Sequence, residues 1–247
     1  MGRSIFITGA SSGIGRAVAF EFARRGYSLV LTARRLERLE EIRRAIQSEQ
    51  PSIPVEIRFL DVTAYDTIPL VIREAAEALG GVDIVFANAG IGLAGKVGVG
   101  VFENARKTIE TNLIGAMATV DAAVAYFMER GEGHIVGVSS VASYRGMPGN
   151  SAYCASKAGL SVYLEALRAE LYRKNIGVTI LYPGFIDTPI NEMLPQRPFV
   201  IPVEKGAAII ARLIEKRVRS TSVPRFPWGL IGPLLKVLPT RVIAKMG

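Results

Sequence analysis

The stretch SIFITGASSGIGRAVAFEFARRG, residues 4–26, decides the fold. Its first five residues, SIFIT, form a short apolar and β-branched run with the character of a buried strand. A glycine-rich turn follows at once, with Gly9, Gly13 and Gly15 in the spacing G-x-x-x-G-x-G. An amphipathic helical pattern then runs over 14–25. Glycines allow the tight turn and a close backbone approach, while the new helix aims free N–H groups and its dipole at whatever sits before it. Gly9, Ser11, Ser12, Gly13, Ile14 and Gly15 are therefore candidate contacts to a pyrophosphate. Such a turn can also merely join a strand to a helix. Its place directly after the first strand favours the nucleotide reading.

Outward from this unit, apolar runs and longer helical patterns alternate. The further strand candidates are 28–33, 55–60, 82–87, 134–140 and 177–182, and the further helices 35–49, 65–79, 102–130 and 152–174. Strands apolar on both faces and separated by helices imply a parallel sheet covered on both sides. The right-handed crossover rule makes this an α/β, Rossmann-type doubly wound architecture with helices on both faces. No repeat, low-complexity tract or linker divides it, so a single domain is expected. Its dinucleotide-binding part covers 1–225, with a Pro-rich loop (183–202), a helix (203–218) and a short strand (221–225). A basic, apolar tail (226–247) belongs to the same domain or makes a peripheral contact.

A chain of 247 residues with 49% hydrophobic and 21% charged residues reads as globular. One cysteine makes no internal disulfide, and MGRSIFITGA lacks the parts of a signal peptide, so a cytoplasmic protein is expected. The net charge of +8 is uneven. Residues 216–247 hold seven Lys or Arg and no acid; setting those seven aside leaves 23 of the 30 basic residues against 22 acidic ones. No basic stripe interleaved with aromatics and no reading motif accompanies this charge, which argues against nucleic acid as a partner.

The end of the second strand shows how an adenosine ribose would be read. It runs LTARRLERLE (31–40), where an NAD-specific site usually places an acid. Arg34 and Arg35 stand there instead, and guanidinium groups suit a 2′-phosphate through forked, charge-assisted hydrogen bonds. The cofactor expected is NADP(H). The plainer alternative makes both arginines the solvated start of a charged helix.

SAYCASKAGL (151–160) places Tyr153 and Lys157 four residues apart, neighbours on one helical face. A free phenol, with a pKa of about 10, is a poor base at neutral pH, and lowering that to about 7 takes roughly 4 kcal/mol. A neighbouring ammonium, helped by an oxidised nicotinamide, is one source of it. Alone, such a pair is usually surface decoration. With TGASSGIG (8–15), DVT (61–63), NAG (88–90), Asn112 of TNLIG, GVSS (137–140), YCASK (153–157) and PGFIDT (183–188) in this order, the chain resembles the short-chain dehydrogenase/reductase family through about residue 220.

That resemblance implies Tyr153 as general acid/base, with Ser140 bonding the reacting oxygen. Lys157 would bind the nicotinamide ribose and tune Tyr153. Asn112 would fix a water that relays protons. It further implies that Asp61 and Val62 contact the adenine and that Asn88, Ala89 and Gly90 line the cofactor. Pro183, Gly184, Ile186 and Thr188 would cover its nicotinamide end. Ser139 and Ser140 are expected to close a strand; for Ser140 a turn-capping role is the alternative. Ala87 departs from the family, which often has a second asparagine there.

His134 reads as structural, Cys154 as a packed residue, and nothing has metal-site spacing. The loop 189–202, with Ile190, Met193, Leu194, Phe199, Val200 and Ile201, is expected over the substrate, and Val141, Tyr144 and Met147 extend it. An apolar pocket wall and simple loop packing are both open readings. The apolar run from Phe226 to Leu238 is too short to span a bilayer. It either lies on an anionic membrane surface or is buried against a neighbouring subunit or the active-site mouth.

The activity expected is NADP(H)-dependent hydride exchange with a carbonyl/alcohol small molecule of apolar, ketone-, aldehyde-, steroid- or lipid-like character, in the reductive direction. The resemblance also suggests a homodimer or homotetramer built on 102–130 and 152–174. A non-enzymatic NADP-binding sensor or membrane-associated scaffold is the alternative from another class.

Overall fold

β1 (Ser4–Thr8) is buried along its whole length, so it has no solvent face with which to alternate. Ile5 and Ile7 point into one hydrophobic core and Phe6 into another, as the two-residue period of a strand requires. The computed structural model describes residues 3–192, 194 and 196–246. In it, β2 (Ser28–Ala33), β3 (Val55–Phe59), β4 (Ile84–Ala87), β5 (Gly133–Val138), β6 (Ile176–Pro183) and β7 (Ser220–Val223) join β1 in one parallel sheet. The strand order is β3-β2-β1-β4-β5-β6-β7. Winding reverses between β1 and β4, which opens a crevice at the carboxyl ends of the strands.

One face is covered by α1 (Gly13–Arg24), α2 (Leu36–Glu49) and α7 (Val203–Glu215), which bring Val18, Phe22, Leu39 and Ile210 onto Ile5, Ile7 and Leu31. The other is covered by α3 (Ile68–Leu79), α5 (Gly115–Arg130) and α6 (Ser151–Glu170), with Ile72, Val120, Phe127 and Leu164 on Phe6, Val85 and Ile135. A fully buried side chain of this size contributes about 1.5–3 kcal/mol. The two cores therefore hold the sheet from both sides.

The structure departs from the sequence expectations in informative places. The single helix expected over 102–130 is α4 (Phe102–Ile109), a π turn at Glu110–Ile114, and α5. By length and composition Phe102–Arg130 passes for a membrane span, yet its Val120, Ala123 and Phe127 sit in the core. β5 ends at Val138, two residues early, because the Ser140 hydroxyl accepts from the Ala142 N–H (3.1 Å) and turns the chain. α6 stops at Glu170, where Lys174 N–H donates to the Leu171 carbonyl (2.8 Å) and closes a turn into β6.

The tail folds back onto the body as α8 (Trp228–Leu235) and α9 (Thr240–Ile243). Trp228, Gly232, Leu235 and Ile243 are buried. The indole lies directly on Gly184, where a Cβ would come within 2.1 Å of Trp228 Nε1, and Gly232 gives similar room to the Tyr144 ring. Arg145 ties the tail down further by donating to the carbonyls of Lys236 (3.4 Å) and Leu238 (3.3 Å). The inner face of the tail is therefore buried on the chain's own body.

Gly184→Ala should push the indole off its seat, at an overpacking cost of about 1–3 kcal/mol. Trp228 is the only tryptophan, so its emission should move to the red and its quenching by acrylamide should rise. Unchanged emission would show that the tail is held elsewhere.

Candidate active site

The crevice between β1 and β4 is held by a clasp at Thr8. Its hydroxyl accepts from the N–H groups of Asn88 and Ala89 (both 3.0 Å), and its carbonyl accepts from Asn88 Nδ2 (2.9 Å). Gly9 takes a φ of +67°, and a side chain there would strike Ala89. A Cβ on Gly15 would lie 2.4 Å from the Gly9 carbonyl. The turn thus needs glycine at both positions.

Ser12 occupies the N-cap of α1 without a side-chain capping bond, and the first turn carries no acid. Its N–H groups are left for an anion at the carboxyl end of β1. Ile14 packs against the core behind the turn. From the opposite side Thr188 closes in, 3.5 Å from where a Gly13 Cβ would be, and its hydroxyl donates to the Ile186 carbonyl (3.1 Å). The cover segment from Pro183 to Thr188 and the glycine turn therefore meet.

At the end of β2 the two arginines divide. Arg35 donates to the hydroxyls of Ser11 (3.0 Å) and Ser12 (3.4 Å), which sets its guanidinium on the glycine turn. Arg34 is largely exposed and faces Asp61 at 3.9 Å. Asp61 spends its other oxygen on the N–H (3.0 Å) and hydroxyl (2.8 Å) of Thr63. Val62 is buried against Gly115. An uncapped helix start, two hydroxyls and two guanidiniums form a donor set suited to a phosphate-rich dinucleotide, so the residues fit such a group.

Lys157 is the anchor on the other side of the crevice. It is only 4% exposed, and its ammonium donates to the Val138 carbonyl (2.8 Å). Ser139 fastens the same helix, donating to the Lys157 carbonyl (2.9 Å) with Ser161 at 2.7 Å. Burial pulls the Lys157 pKa down to about 8. Its Nζ stands 5.8 Å from the centre of the Tyr153 ring.

The Tyr153 phenol is not lowered in this arrangement. Burial pushes it up, and its interaction with the Ser140 hydroxyl draws it only partly back. The ammonium expected to make it acidic turns to Val138 instead. Ser140 caps its turn, as the alternative reading had it, and also donates to the Pro183 carbonyl (3.4 Å).

Asn112 is fully buried within the π turn. Its carboxamide oxygen accepts from Ile91 N–H (2.7 Å), and its nitrogen donates to the Ile91 carbonyl (2.8 Å) and lies 3.4 Å from Ser156 Oγ. The carboxamide is thus committed to holding the segment after Gly90. Gly90 is where these parts meet: its Cβ would lie 3.2 Å from Asn112 Oδ1 and 3.5 Å from Lys157 Nζ.

His134 is structural, as expected: it bonds Thr179 Oγ1 (2.9 Å), and burial, with Arg217 nearby, lowers its pKa to about 3. Cys154 is buried, which pushes its thiol up.

In the loop 189–202, Ile190 packs over Gly92, Phe199 packs on Trp228 and Ile201 bridges to Ile186. Met193 lies outside the described residues. A cavity of about 280 Å³ opens instead between Leu93–Ala105 and Gly149–Ala152, immediately before Tyr153, with Leu93, Val97, Val101 and Phe102 on its walls. Sequence reasoning assigned GLAGKVGVGVF (92–102) no role. Its one signal was a cluster of apolar residues with neither helical nor strand period. Thr8 and Ser139 were also missed as positioning residues, since a hydroxyl's partner across a sheet leaves no trace in spacing.

A sequence profile described as short chain dehydrogenase matches residues 3–198. An uncharacterized oxidoreductase of Mycobacterium tuberculosis is 38% identical over 241 residues, covering 97% of this chain and 95% of the relative. One from Myxococcus xanthus is 39% identical over 242 residues, covering 96% and 93%. Among solved structures, an alcohol dehydrogenase from the archaeon Thermococcus sibiricus, complexed with 5-hydroxy-NADP, superposes with a TM-score of 0.81. It is 29% identical, covering 90% of this chain and 96% of that one.

Lys157 makes a separate prediction about stability. Its folded pKa of about 8 lies below its ordinary 10.5. Between these values the unfolded chain holds a proton that the folded chain has lost, so this group makes stability rise with pH, by roughly 3 kcal/mol in total. The melting temperature of the wild type relative to Lys157→Met should climb from pH 8 to 10.5. A flat difference would contradict the burial of the charge.

Proposed function

The chain belongs to the short-chain dehydrogenase/reductase family of oxidoreductases, and on that premise we propose that it is an NADP(H)-dependent reductase of apolar carbonyl compounds. The observation that carries this reading is the meeting of Ser140, Tyr153 and a buried Lys157 across the crevice from the uncapped start of α1. A bound nicotinamide supplies or accepts the hydride.

In the reductive direction the raised phenol is an advantage. Tyr153 stays protonated at neutral pH and donates its proton to the substrate oxygen, while Ser140 hydrogen-bonds that same oxygen. The phenolate left behind lies near the Lys157 ammonium, which is still largely charged at pH 7 with a pKa of about 8. Asn112, Thr8 and Ser139 act as positioning residues: they hold Ile91, Asn88 and the body of α6.

Preference for NADP(H) rests on Arg34 and Arg35 at the end of β2, where an NAD-specific site would carry an acid; Arg35 reaches the glycine turn and Arg34 faces Asp61. That the Thermococcus relative is complexed with an NADP derivative accords with it. The apolar substrate rests on the cavity that Ala152, the residue before Tyr153, helps to line, whose walls carry Leu93, Val97, Val101 and Phe102 and whose one cation is Lys96. A cytoplasmic homodimer or homotetramer completes the reading, its contacts on the outer faces of α5 and α6, where Met128 and Val162 stand exposed.

Tyr153→Phe should lower turnover of aldehydes or ketones by about 100-fold or more, the usual size of a general acid's contribution. NADPH binding, read by nucleotide fluorescence, should remain. Full activity in this variant would remove Tyr153 as the acid.

Replacing Arg34 and Arg35 together by alanine should weaken NADPH binding by about tenfold or more, since hydrogen bonds to charged groups contribute about 1.5–3 kcal/mol each. NADH binding should barely change. Equal losses for both nucleotides would return the arginines to the plain role of a solvated helix start.

A further inference from the structure

We infer that the outer face of α8, with the chain on either side of it, is a docking surface for an anionic lipid bilayer. The helix is apolar on every side. Its inner face, Trp228, Gly232 and Leu235, is buried on the body. On its outer face Leu230 and Leu234 are 71% and 56% exposed, and Phe226 before it and Val237 after it are 76% and 75% exposed. Leu230, Leu234 and Val237 recur at helical spacing along one ridge, and Phe226 stands at the head of the helix. Large apolar side chains gathered in one exposed patch mark an interaction surface.

Charge says what covers the ridge. Of the seven Lys and Arg in the last 32 residues, which contain no Asp or Glu, Arg225, Lys236, Arg241 and Lys245 flank α8, while Lys216, Arg217 and Arg219 lie before β7. Among the described residues none of the seven forms an ion pair. A second copy docking on the same face about a two-fold axis would bring two such cationic tails together. A nucleic acid would satisfy the charge but has no use for aliphatic tips. A bilayer with anionic headgroups satisfies both: the leucines and Phe226 enter the acyl boundary while the cations meet the headgroups.

The ridge is mechanically continuous with the catalytic side. Lys236 Nζ lies 5.6 Å from the centre of the Tyr144 ring, in the loop after Ser140. Phe199, itself 57% exposed, packs on Trp228 at 6.0 Å and extends the apolar surface into the loop 189–202. Docking would therefore bring the mouth of the crevice to the bilayer. The inference stands apart from the reaction proposed above, and its test needs no substrate.

The test is cosedimentation of the full chain with vesicles of phosphatidylcholine alone and of equal parts phosphatidylcholine and phosphatidylglycerol. The wild type should pellet with the anionic vesicles, be released by salt, and stay in solution with the neutral ones. Combined Phe226→Ser, Leu230→Ser and Leu234→Ser should cut partition to anionic vesicles by about tenfold or more while melting temperature and NADPH binding are kept. If that variant does not fold, Arg241→Glu with Lys245→Glu, both on the exposed end of the tail, should produce the same loss. Wild-type protein that stays in solution, or variants that pellet as well as the wild type, would overturn the inference. So would sedimentation velocity showing that the serine variant splits an oligomer while vesicle binding is absent, which would make the ridge a subunit contact.

Discussion

The hydroxyl of Thr8 is the constraint on which the site depends. It lies at the end of β1 and accepts two backbone N–H groups from the segment that leaves β4, while Asn88 returns a bond to the Thr8 carbonyl. The two strands diverge at this point because their connections run to opposite faces of the sheet, and a crevice between diverging chains would otherwise leave backbone donors unpaired. With the clasp in place, the glycine turn lies on one side and Gly90 on the other, at fixed separation. Everything that would hold a dinucleotide is then built on rigid strand ends rather than on free loops.

Across the crevice the same economy governs Lys157. A buried ammonium is costly, and the protein compensates by giving it the Val138 carbonyl and by seating the helix on Ser139 and Ser161. Its charge is consequently poised, with a pKa of about 8, and its neighbour Tyr153 is held neutral by burial, against the smaller pull of Ser140. Both groups are thus displaced by desolvation, the phenol upward and the ammonium downward, so the phenol holds its proton more tightly than the amine does.

Much of this was legible in the sequence. The strand runs at 4–8 and 28–33 match β1 and β2 to the residue, because strands buried on both faces are unbroken apolar runs. The spacing of Gly9, Gly13 and Gly15 was readable because glycine is favoured at each, by close approach at Gly9 and Gly15 and by a positive φ at Gly9 and Gly13. The direction of the Tyr153 shift was not readable: it turns on where the Lys157 side chain points, and spacing along a helix places two side chains near each other without saying what else they bond. The cavity beside Leu93 and Phe102 escaped notice for a related reason, since its walls come from a loop whose shape is set by partners far away in the chain. The tail was half legible. Its charge and apolarity were plain, but which side chains faced inward depended on Gly184 and Gly232 leaving room.

The π turn at Glu110–Ile114 has a consequence for how this chain tolerates change in length. A turn of this kind holds one residue more than the α-helical turn it replaces, so α5 is advanced in phase by about 100° relative to an unbroken continuation of α4. That extra residue lets α4 pack against α6 while α5 packs against α3. A single deletion within 110–114 would regularise the helix and swing one of these two faces out of contact, whereas the same deletion in the solvent-facing loop 94–100 would leave both in place. Along this segment, then, spacing is as strict a requirement as residue identity.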